Sequence, residues 1–204
     1  MNKYLKHIPI LLIYSRLLFS VVILSLSFVQ PAHFRPVINM LLIIGLISDV
    51  FDGIIARKLK ISTVKLRRLD SFIDQIFWLS ALTAAYVICT DFFKENGPLL
   101  LTLLAAEALT YVVSYLKFRK EVATHAISSK FWTLTILATL VQIMATCDSG
   151  WLFMTCFYIG MITRMEIIAI LIIIRKWEND VPSLYHAVMI RKGKPIKRNK
   201  LFNG

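Results

Sequence analysis

Asp49-Val50-Phe51-Asp52-Gly53-Ile54-Ile55-Ala56-Arg57, followed after a basic segment by Asp70-Ser71-Phe72-Ile73-Asp74, is the stretch around which the chain is organised. It sets four carboxylates at spacings of three and four residues, at the end of one long apolar run and the start of the next. On helices those spacings put each pair on one face. Asp49, Asp52, Gly53 and Ala56 share a face, so the acids stand beside small residues that let another backbone or a ligand come close. Carboxylates about 4 Å apart repel by about 4 kcal/mol per pair at an effective dielectric of about 20, so such a cluster calls for cations. Oxygen-only ligation suits Mg²⁺ or Mn²⁺. Acids that merely solvate two helix ends have no need to repeat on matched faces.

Around this stretch the composition is 57% apolar while the formal net charge is +12. The first is too oily for an ordinary soluble domain and the second too large to spread through lipid, so the charges must be segregated. Apolar runs of spanning length lie at roughly 8–29, 36–57, 69–90, 98–116, 127–147 and 151–174. The expected fold is all-α: a polytopic membrane protein with six transmembrane helices in one domain, residues 1–176, including a short basic lead, followed by a basic tail, 177–204. The first run is expected to be retained, because no small-residue cleavage site follows it and Arg16 lies inside it. Lys58, Lys60, Lys65, Arg67 and Arg68 fill one loop, Lys117, Arg119, Lys120 and Lys130 another, and the chain from Arg175 carries eight more cations. The intervening loops offer only Arg35, only Lys94, and none. The positive-inside rule then puts both termini and the aspartates at the cytoplasmic side.

The acidic stretch resembles the signature of the CDP-alcohol phosphatidyltransferase family, D-x2-D-G-x2-A-R-x8-G-x3-D-x3-D. Asp49, Asp52, Gly53, Ala56, Arg57, Asp70 and Asp74 fall in register, and Leu66 stands where the family has glycine. The resemblance implies displacement of CMP from a CDP-linked lipid donor by a small polar alcohol, leaving a phosphodiester. It implies two divalent ions, Mg²⁺ or Mn²⁺, held by Asp49, Asp52, Asp70 and Asp74, with Asp74 also the general base for the acceptor hydroxyl. Gly53, Ala56 and Arg57 become substrate-binding positions, Leu66 a neighbour of the cytidine, and the protein a homodimer in the bilayer. Glycerol 3-phosphate, inositol phosphate and serine are all compatible acceptors; chain length and small loops make the first the default. Ile8-Pro9 leading to Arg16 is similar to the family's opening pattern, and Ser129-Lys130 to a phosphate-contacting pair in related synthases.

Elsewhere the polar residues within spans are few. Arg16 lies about 12 Å into its run by helical rise and needs a partner there, either an ion pair or a phosphate. Glu107, Arg164 and Glu166 fall at comparable depth on other helices, and all four lie below the aspartates, consistent with pairing among the four or with a polar pocket for the acceptor that includes Arg16 and Arg164. Cys89, Cys147 and Cys156 show no metal-ligand spacing and are read as packing residues. No H-E-x-x-H, phosphate-binding glycine loop or G-x-S-x-G occurs. Topology accounts for the basic clusters without nucleic acid. The competing readings are a non-enzymatic membrane protein that binds or transports ions, and an inactive relative.

Overall fold

The computed structural model describes residues 7–194 apart from 60, 62, 121, 123, 125 and 179, and not the side chain of Val64. The basic lead from Met1 to Lys6, Lys60 and the end of the tail beyond Lys194 lie outside the described residues. All regular structure among the described residues is helical: α1 Ile8–Val29, α2 Phe34–Lys58, α3 Val64–Ile88, α4 Thr90–Glu95, α5 Gly97–Phe118, α6 Ile127–Thr146, α7 Gly150–Ile173 and α8 Leu184–Arg191. Six of them, α1 to α3 and α5 to α7, are long and apolar enough to cross a membrane. This is the all-α, six-span architecture that the hydropathy predicts, and the protein is an integral membrane protein.

The chain divides into two units, the first formed by residues 1–94 with 140–149 and the second by 95–139 with 150–204. In the first unit α1 packs on both α2 and α3. Ile13, Ile23, Ile38, Leu42, Ile73 and Phe77 are buried there, while Leu11, Leu18, Val21, Ile43 and Ile47 face outward as a lipid-exposed span requires. The ring of Phe77 on α3 fills the space that a Cβ at Gly45 of α2 would take, one helical turn before the first aspartate.

The start of α3 differs from the sequence expectation. It begins at Val64, because Thr63 is an N-cap whose Oγ1 accepts the Leu66 N–H at 3.2 Å. Lys65, Arg67 and Arg68 therefore ride on the first turns of the helix rather than in a loop. Counting apolar residues alone placed the start at 69, since a cap is a polar signal.

Two of the three cysteines are cross-linked rather than packing residues. Cys89 and Cys147 form a disulfide, with Cα atoms 5.1 Å apart and a sequence separation of 58. Cys156 alone is free, and it is buried. Pairing is decided by proximity of the ends of α3 and α6, which spacing along the chain does not reveal. Arg35, at the start of α2, donates from Nη1 to the Met144 carbonyl at 3.0 Å and contacts Cys147 Sγ, gathering three helix ends at that side of the unit.

In the second unit α7 packs on α5 and α8. Ile167, Ile170, Leu171 and Ile174 form a core with Ala126, and the segment after Trp177 contributes Val181 and Ala187 to it. Lys117 Nζ donates to the carbonyls of Leu171, Ile172 and Ile174 at 2.9, 2.6 and 2.8 Å, satisfying the end of α7 with a cation where the helix dipole favours one.

Candidate active site

The aspartates occupy the part of α2 and α3 nearest the short connection between them. Asp52 and Ala56 are buried on α2, one helical turn apart, with Ser48 on the same face. Asp70 and Asp74 stand one turn apart on α3. The acids of the two helices meet: Asp49, Asp70 and Asp74 each offer a carboxylate oxygen, all within 4.8 Å of one another. Asp52 is 2% exposed and directed at a cation from a third helix.

That cation is Arg16 of α1, 1% exposed. Its Nη1 donates to Asp49 Oδ1 at 3.0 Å and contacts Asp74 Oδ1, while Nη2 contacts Asp52 Oδ2 and Asp70 Oδ1. Each terminal nitrogen thus holds one acid from α2 and one from α3. Of the two partners open to Arg16 in the sequence, ion pairing is what forms, and with the acids themselves. The sequence reading set Arg16 below the aspartates, yet the signal for a shared level was present. Arg16 is eight residues from the start of α1 and Asp49 nine from the end of α2, so equal rise puts them side by side.

The five side chains carry a formal charge of three negative, four carboxylates against one guanidinium. Such a cluster attracts further cations. The donor set is all carboxylate oxygen and converges from two helices on one point, which fits a hard divalent ion.

Gly53 and Arg57 form a second local arrangement. They lie one turn apart on α2, and a Cβ built on Gly53 would stand 3.2 Å from Arg57 Nη1, 3.6 Å from Nη2 and 3.8 Å from Cζ. The Arg57 side chain folds back over the glycine toward the level of the acids. Leu66 is half-buried in the first turn of α3, where its N–H is bound by the Thr63 cap.

The remaining sequence candidates belong to the second unit. Arg164 Nε is 2.8 Å from Glu107 Oε2, and its Cζ lies 4.3 Å from the centre of the Trp132 ring. Trp132 is fixed in turn by donating from Nε1 to the Cys156 carbonyl at 3.1 Å and by packing against Gly160. Glu166 accepts the Leu184 N–H at 3.2 Å, at the start of α8. Lys130 is exposed on the first turn of α6.

A family profile described as CDP-alcohol phosphatidyltransferase matches residues 6–175. The chain is 30% identical over 177 residues to a protein of Aquifex aeolicus (strain VF5) named CDP-diacylglycerol--glycerol-3-phosphate 3-phosphatidyltransferase, covering 84% of this chain and 92% of that one. No solved structure matches.

Proposed function

The chain belongs to the CDP-alcohol phosphatidyltransferase family, and from that premise we propose that it moves the phosphatidyl group of CDP-diacylglycerol onto glycerol 3-phosphate, releasing CMP, at the cytoplasmic face of the membrane. The enzyme is a membrane transferase of phospholipid biosynthesis that takes a CDP-alcohol donor and an alcohol acceptor. The reading as a non-enzymatic ion-binding or transport protein is thereby set aside. Glycerol 3-phosphate is favoured because the Aquifex relative is named for it.

The convergence of acids from α2 and α3 carries the mechanism. Asp49, Asp52, Asp70 and Asp74 would hold two Mg²⁺ or Mn²⁺ ions, which when bound offset the charge of the donor diphosphate and of the departing CMP. Arg57, folded over Gly53, adds a planar cation for a phosphate oxygen. Asp74 takes the proton of the acceptor hydroxyl. The hydroxyl oxygen bonds to the phosphorus bearing diacylglycerol, the bond from that phosphorus to the bridging oxygen breaks, and CMP leaves with the electron pair. Leu66 borders the cytidine, and buried Ala56 keeps the helix face low beside it. Arg164, held by Glu107 and Trp132, we assign to the packing of its own unit.

Two observations support the cytoplasmic placement. The cations Arg57, Lys58, Lys65, Arg67 and Arg68, at the neighbouring ends of α2 and α3, favour it. The Cys89–Cys147 disulfide lies at the opposite end of α3 from Asp70 and Asp74, and disulfides persist on the oxidising side of a membrane. The protein is proposed to act as a homodimer, as family members commonly do. The test is CMP release by purified protein from CDP-diacylglycerol with glycerol 3-phosphate, inositol phosphate or serine. Release highest with glycerol 3-phosphate is expected, and preference for another alcohol would reassign the acceptor.

A further inference from the structure

We infer that Arg16 is a built-in counter-cation that competes with divalent ions for the same aspartates, so that loading the site with metal expels its guanidinium. The inference rests on the metal reading above and concerns what one residue of this chain does toward those ions. Its basis is the way the guanidinium is shared. Nη1 bridges Asp49 and Asp74, and Nη2 bridges Asp52 and Asp70, so each nitrogen sits between an acid of α2 and an acid of α3. A divalent ion joining the helices must sit between the same carboxylates, at about 2.0–2.1 Å from their oxygens for Mg²⁺. With Asp49, Asp70 and Asp74 presenting oxygens within 4.8 Å of one another, an ion among them would lie within about 4 Å of a guanidinium nitrogen. Two cations at that distance, one of them buried to 1% exposure, repel each other over the carboxylates they would share, so each weakens the hold of the other.

The Arg16 side chain is also incompletely satisfied. Its Nε is buried and has no hydrogen-bond partner, although both terminal nitrogens are engaged. A residue serving only to tie three helices together would be expected to have that donor paired. The unpaired donor suits a side chain that changes partners, with an anionic group taking the guanidinium once the carboxylates turn to metal. Arg16 is on this account a positioning residue: it keeps four like charges together on α2 and α3 until metal replaces it, and it sets how tightly metal binds.

The experiment is Mn²⁺ titration of the purified, metal-depleted full-length protein, read by the electron paramagnetic resonance signal of free Mn²⁺, in the wild type, Arg16→Met, Arg16→Lys and Asp49→Asn. Arg16→Met is expected to bind Mn²⁺ at least about ten-fold tighter than the wild type, because a like charge about 4 Å away is removed. Arg16→Lys is expected in between, since one ammonium reaches fewer carboxylates than a guanidinium. In metal-depleted buffer Arg16→Met should melt below the wild type, and Mn²⁺ should raise its midpoint by more. If Arg16→Met does not fold, tighter binding by Arg16→Lys carries the same conclusion. Equal or weaker Mn²⁺ binding in the folded Arg16 variants, with Asp49→Asn still weakening it, would overturn the competition while leaving the metal reading intact. Absence of any Asp49-dependent Mn²⁺ binding would overturn both.

Discussion

Replacing Gly53 by alanine separates the stability of α2 from its role at the site. The added Cβ would lie 3.2 Å from Arg57 Nη1, tighter than an ordinary van der Waals contact, against the far end of a flexible side chain rather than against backbone. The helix accepts alanine, so the fold stays intact and the guanidinium moves by a few tenths of an ångström or more. A hydrogen bond to a charged group contributes roughly 1.5–3 kcal/mol. Displacing Arg57 from a donor phosphate should therefore lower kcat/KM by about 10- to 100-fold, with 1.4 kcal/mol per factor of ten. Arg57→Ala sets the upper limit. If Gly53 acts through Arg57, the double variant Gly53→Ala/Arg57→Ala is no slower than Arg57→Ala alone, a non-additivity expected of residues in contact. The assay is CMP release at varied CDP-diacylglycerol, beside a thermal melt. Full activity in Gly53→Ala, or losses that simply add in the double variant, would refute the argument.

Leu66→Gly should lower the KM for the donor while changing kcat less, the pattern of improved uniform binding; an unchanged donor KM would place Leu66 away from the cytidine. Cys147→Ala should lower the thermal midpoint measured without reductant, since closing a 58-residue loop is worth up to about 4 kcal/mol in the chain-entropy account. Reductant should then affect the wild type and not the variant, and equal midpoints would show that the disulfide contributes nothing. Cysteines introduced at Ser62 and Lys194 should resist an impermeant thiol reagent in intact cells while one at Glu95 reacts, and the reverse pattern would move the active site to the outer face.

The site was readable in the sequence where a short-range rule governs it. Three- and four-residue spacings decide which residues share a helix face, so Asp49 with Asp52 and Asp70 with Asp74 could be paired without coordinates. Spans of about twenty apolar residues likewise announce themselves. What escaped was set by polar groups acting across space. The Thr63 hydroxyl starts α3 five residues earlier than its apolar run. Cys89 and Cys147 meet because two distant helix ends lie together, and Glu166 is engaged by the first turn of α8. An arginine within a span needs a partner, but the partners of Arg16 are fixed by how α1 packs between α2 and α3, a contact to which hydropathy is blind.

The central claim is that acids from α2 and α3 form one divalent-dependent transfer site. Its most direct test is CMP release from CDP-diacylglycerol and glycerol 3-phosphate by the purified protein, with Mn²⁺, with chelator, and in Asp70→Asn. The account predicts turnover with Mn²⁺, none with chelator, and loss of turnover in a folded Asp70→Asn protein that also binds Mn²⁺ more weakly. Near-normal turnover in Asp70→Asn, or turnover indifferent to chelator, would contradict it.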